Sequence, residues 1–148
     1  MLFYDDFPIG HTLALGPRTI TAEEIIEFAT EFDPQPFHLN ADAPESESVG
    51  GLIASGWHTC AIVMRMMCDA YLLDTASLGS AGLDTVRWRE PVRPGDTLSG
   101  EATVSDKRLS EGRAGVGIVT FAYRLQNQHG RDVITMSGMG FVRTEAAA

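Results

Sequence analysis

From Trp57 to Leu73 the chain is apolar except for His58, Thr59, Arg65 and Asp69. Read as a helix from near Gly56 to near Asp74, this segment puts Ala61, Ile62, Val63, Met64, Met66, Met67, Ala70, Leu72 and Leu73 on nearly every side. A helix apolar all round needs cover on most of its faces. Arg65 and Asp69, spaced i and i+4, are placed to pair on the one open stripe. The cover has to come from the second half of the chain, which is strand-like. Val86 and Trp88 alternate with Thr85, Arg87 and Arg89, and Leu98, Gly100, Ala102 and Val104 alternate with polar neighbours. The turn Arg93, Pro94, Gly95, Asp96 separates these two runs, while Ala114 to Gln126 and Val133 to Thr144 are joined by a hairpin loop over Asn127 to Gly130. Consecutive strands pair antiparallel. The expected class is therefore α+β, a curved antiparallel sheet wrapped around the apolar helix. Residues 1–148 are read as one domain with a frayed tail over 144–148. The free edge of such a sheet is a liability that a second copy removes, so a homodimer is expected, with a higher oligomer open.

Charge and cysteine usage narrow the function classes. Twenty acidic side chains against eleven basic ones give a formal charge of −9, which repels a phosphate backbone at long range, so no nucleic-acid partner is expected. Clustered arginines can still hold an anionic group locally. On one helix Cys60 and Cys68 would stand about 12 Å apart, too far for a disulfide. They read as reduced core thiols, and no metal site is expected without Cys/His ligand spacing. The apolar stretch falls short of a membrane span. The N-terminus, with two Asp in its first six residues, has no signal-peptide pattern. A cytoplasmic protein is expected.

The chemistry-bearing residues cluster before the apolar helix. Thr21 to Phe32 predicts an earlier helix: Thr21 caps it, Glu24 completes a capping box, and Ile25, Phe28, Ala29 and Phe32 share a face. Pro34 and Pro36 end it at Asp33 and predict a stiff, extended loop over DPQPFH. Asp33 and His38 at the ends of that loop are a carboxylate and an imidazole suited to general acid and base work. A purely local role for both, ending a helix and packing beside it, stays open at this level. Beyond the polar stretch Asn40 to Gly51, the run GGLIASGWHT brings small residues into the start of the apolar helix. Free amide hydrogens at a helix start suit an oxygen that gains negative charge, and Gly56 has no side chain to obstruct it. A glycine used only for a sharp turn remains the alternative. No phosphate-binding loop, dinucleotide fingerprint or nucleophile elbow is present.

These residues carry a resemblance. The chain resembles the MaoC-like dehydratases, a family that includes (R)-specific enoyl-CoA hydratases of single hotdog fold. Their motif is Asp, any residue, Asn, Pro, an aliphatic residue, then His; Asp33, Pro36 and His38 match it in register, and Gly56 stands eighteen residues past the His, where the family places its helix-start glycine. The stretch Val86 to Leu98 is also similar. Three positions depart: Gln35 replaces the Asn, Phe37 the aliphatic residue, and Ser55 a second His found in many hydratases. Gln keeps the amide on a longer arm.

The resemblance implies a hydro-lyase that adds water reversibly across C2=C3 of a 2-enoyl-CoA to give a (3R)-3-hydroxyacyl-CoA. In it Asp33 takes a proton from water, His38 positions that water and helps move a proton to C2, and the Gly56 amide holds the thioester oxygen. Gln35, Phe37, Ser55, Trp57 and His58 are the expected substrate contacts, with core packing the alternative for Trp57 and a face toward the partner subunit the alternative for His58. No cofactor is implied beyond the coenzyme A of the substrate. Arg87, Arg89, Arg93, Lys107, Arg108 and Arg113 are the available phosphate partners, with surface solvation the alternative for each. Thioester hydrolysis and non-catalytic acyl-CoA binding are the competing readings of the same fold.

Overall fold

The computed structural model describes residues 1–147. Strand β1 (Thr12–Thr19) is followed by helices α1 (Ala22–Phe32), α2 (Pro36–Leu39), α3 (Pro44–Ser48) and α4 (Gly56–Ala70). Strands β2 (Leu83–Trp88), β3 (Thr97–Leu109), β4 (Val116–Gln126) and β5 (Asp132–Arg143) complete one sheet of order β1-β3-β4-β5-β2, antiparallel at every pairing. Ile62, Val63, Met66 and Met67 of α4 join Leu98, Val104, Phe121 and Tyr123 of the sheet in one buried cluster. This is the α+β hotdog arrangement, with α4 as the element the sheet covers.

The cover is incomplete. Trp57 is 63% exposed and Met64 51% on one stripe of α4, and Arg65 and Asp69, whose ion pair closes at 3.0 Å, are exposed on the next. The helix ends at Ala70, and Leu72–Asp74 continue as a 3-10 turn. Both cysteines are free, but half-buried instead of core thiols.

Four local expectations need correction. Strand β1 is absent from the sequence reading because Gly16 and Pro17 interrupt its alternation, and the register with β3 shifts there, between Leu15 and Arg18. The loop expected over DPQPFH covers only Asp33 to Gln35, with Asp33 non-helical (ψ 69°) and Gln35 extended (ψ 145°), each before a proline; Pro36–Leu39 form a helical turn. Proline is well suited to a first helical position, where its missing N–H costs nothing. Helix α1 is capped by Thr21 Oγ1, which accepts from Glu24 N at 3.2 Å, while the Glu24 carboxylate turns to Arg18 at 3.4 Å and leaves the reciprocal half of the box unmade. Its face is Ile25 and Ala29, with Phe32 65% exposed. At the C-terminus Glu145–Ala147 form a 3-10 turn where fraying was expected, and Ala148 lies outside the described residues. No helix among the described residues is long and apolar enough to cross a membrane.

Candidate active site

Two chain breaks and one helix start build the site. Asp33 ends α1 in a non-helical conformation, and α2 then turns the chain so that His38 comes back to it: His38 Nε2 lies 3.3 Å from Asp33 Oδ2. The other ring nitrogen, Nδ1, is 2.6 Å from the carbonyl oxygen of Ile53. A carbonyl only accepts, so Nδ1 carries the hydrogen and Nε2 is the nitrogen turned toward the carboxylate. The imidazole itself is buried.

Both oxygens of Asp33 are held. Ser55 Oγ donates to Oδ2 and Gln35 Nε2 donates to Oδ1, each at 2.7 Å. The Ser55 bond is the main reason the carboxyl sits below its usual range; burial opposes that shift, and the Gln35 amide and His38 add to it. Asp33 is thus an anion at neutral pH, fixed in place by two side-chain donors.

Gly56 is the first residue of α4, and its N–H finds no backbone or side-chain partner among the described residues. It is a free donor at the positive end of a helix of fifteen residues. A Cβ built on Gly56 would lie 2.5 Å from Trp88 Cε2, and Trp88 Nε1 donates to the Gly56 carbonyl at 2.9 Å. The glycine is therefore required by the indole packed on it, leaving the N–H side open.

Asp33, Gln35, His38, Gly56, Trp57, Thr59, Trp88 and Arg89 all face one open cavity of about 380 Å3. The remaining predicted contacts lie elsewhere. Ser55 is fully buried and spends its hydroxyl on Asp33. Phe37 packs edge-on to the His38 ring, with centroids 4.6 Å apart, outside the cavity lining. His58 points away: it stacks on Phe28 of α1 at 4.7 Å, and its buried Nδ1 has no partner among the described residues. Burial pushes its pKa down, opposed by Glu24 and helped by Arg18.

Of the predicted phosphate partners only Arg89 lines this cavity. Arg93 donates to the Val49 carbonyl at 2.6 Å, Lys107 to that of Tyr4 at 2.9 Å, and Arg113 covers the Phe141 ring. Ile53 and Trp88 are the site residues that sequence reasoning missed. Ile53 contributes a carbonyl, which has no side-chain signature; Trp88 shares the period-two face of Val86, a signal that names the face but not what it meets.

A family model described as MaoC like domain matches residues 6–122. A MaoC-like dehydratase from Rhodospirillum rubrum is similar in structure, with a TM-score of 0.88 and 38% identity, covering 98% of this chain and 99% of that one. Mesaconyl-CoA hydratase of Cereibacter sphaeroides is 30% identical over 99% of this chain, which spans 42% of that relative's length. The R-hydratase PhaJ1 of Pseudomonas aeruginosa shares the fold, with a TM-score of 0.76 at 24% identity over 97% of this chain and 86% of that one.

Proposed function

The chain belongs to the MaoC-like dehydratase family, and we propose that it hydrates a 2-enoyl-CoA reversibly to the (3R)-3-hydroxyacyl-CoA. The observation that carries this reading is the convergence of an ionised carboxylate, an imidazole of fixed tautomer and an unpartnered amide on one cavity. The name of the C. sphaeroides relative supports a coenzyme A thioester as substrate.

Water bound between Asp33 and His38 Nε2 gives a proton to this pair as its oxygen bonds to C3. The C2=C3 electrons move toward the thioester carbonyl, and the Gly56 N–H takes the growing charge on its oxygen. Removing one such donor typically costs about 3 kcal/mol of barrier. The pair then returns a proton to C2, so one water is added and no net proton is consumed. Ser55 and Gln35 serve as positioning residues for Asp33. Arg89 is assigned to the phosphates of the coenzyme, because its fork can hold two phosphate oxygens. No other cofactor enters the scheme.

A homodimer accompanies this reading. Strand β2 is an edge strand with Leu83 49% and Trp88 47% exposed, beside the uncovered stripe of Trp57 and Met64. A second copy laid along β2 would hide this apolar surface and extend the sheet.

The test is direct. Incubated with a 2-enoyl-CoA, the protein removes the enone absorbance without releasing free thiol, and chiral analysis finds the (R) product. Thiol release would replace hydration with thioester hydrolysis. A raised melting temperature without turnover would leave only an acyl-CoA binder.

A further inference from the structure

A second cavity, of about 280 Å3 and almost wholly apolar, lies under α4 and is lined by Cys60, Met64, Met67, Tyr71, Leu83 and Met136 among others. It shares no residue with the active-site cavity, yet the two follow one stripe of the helix. Gly56, Cys60, Met64 and Met67 recur at i, i+4, i+8 and i+11, so successive members lie above one another, and Tyr71 follows at the C-terminal cap of the helix. Gly56 faces the first cavity and the next four face the second, beginning about 6 Å further along the axis.

What stands at the boundary is Trp88. Its indole lies against the bare face of Gly56, is tied to the Gly56 carbonyl and meets the Trp57 ring edge-on at 5.5 Å. It is held by Gly56 and Trp57, and Cys60, one helical turn past Gly56, is where the lining of the second cavity begins. The indole is nonetheless 47% exposed, on an edge strand, so nothing in the core depends on its bulk.

We infer that Trp88 sets acyl-chain length: it walls the active site off from the apolar cavity and so selects short acyl groups. This rests on the proposed acyl-CoA substrate. A thioester whose oxygen sits at the Gly56 N–H directs its acyl tail along the α4 stripe, into the indole. With the indole removed, a longer tail gains the apolar surface between Cys60 and Met136, whereas a four-carbon tail never reaches it.

The test compares wild type, Trp88→Phe and Trp88→Ala by calorimetric binding of butyryl-CoA and octanoyl-CoA, alongside hydration of the matching 2-enoyl-CoAs. Trp88→Ala should raise the octanoyl-to-butyryl affinity ratio roughly tenfold or more, and Trp88→Phe, which keeps a smaller ring in place, roughly threefold. If Trp88→Ala loses its native circular dichroism, Trp88→Phe decides alone. A ratio unchanged in the folded variants overturns the inference, as does wild-type preference for the octanoyl chain. Absence of hydration with the ratio shift intact would reject the hydratase reading and keep the wall; absence of binding to either thioester would reject both.

Discussion

Ser55 Oγ and His38 Nε2 address the same oxygen of Asp33, at 2.7 and 3.3 Å. The hydroxyl donates to no other acceptor among the described residues, so its bond both depresses the carboxyl pKa and aims the oxygen. Ser55→Ala should therefore raise the Asp33 pKa. The acid limb of the pH profile of kcat/KM moves to higher pH, and activity at neutral pH falls less than at pH 5. An acid limb that stays in place would show that another group governs it.

Asp33→Asn keeps the size of the side chain and removes its proton affinity. Hydration should drop about 10³-fold, in the range usual for a lost general base. Circular dichroism should be unchanged, and enone loss measured by absorbance reads the effect.

Gly56→Ala sets a methyl group against the Trp88 indole. The ring has to swing outward, taking its hydrogen bond to the Gly56 carbonyl with it, at a cost of about 1–3 kcal/mol in stability. Thermal denaturation and the emission maximum of tryptophan, shifted to the red as the ring meets water, report this together with reduced turnover.

His58 carries a separate prediction about stability. Its folded pKa is pushed below the ordinary 6.5 by burial, so the unfolded chain takes up a proton that the folded one refuses. Stability should fall as pH drops below 6.5 and level off once the folded ring also protonates. Asp33, whose folded pKa is lowered from 3.8, adds its loss only further into acid. His58→Phe, which preserves the stack on Phe28, should shrink the melting-temperature difference between pH 7 and pH 5 by on the order of a few degrees.

Met64→Glu tests the association surface. It introduces charge at a half-exposed position of α4 that edges the apolar cavity but stands outside the buried core cluster, so sedimentation should show a dimer for wild type and a monomer for the variant, with the fold retained.

Much of this was legible in local sequence. Thr21, the two prolines and the all-apolar run locate α1, the Asp33 break and α4 because capping, missing amides and helical period act over a few residues. Helical geometry accounts for His58 as well: two residues past Gly56 is roughly 200° around a helix, which turns it from the glycine's side toward Phe28 of α1. Strand β1 was hidden by Gly16 and Pro17, and Trp88 by topology: only the placement of β2 at the sheet edge beside β5 brings that ring to the start of α4.

The acceptor that orients His38 is a main-chain oxygen. Every amino acid placed at position 53 would supply the same group, so genetic drift there leaves the ring's tautomer intact. Asp33, by contrast, relies on two side chains that substitution can erase. Half of the dyad is thus insulated from point mutation and half is exposed to it, and tuning of the pair by evolution or by engineering has to proceed through the carboxylate.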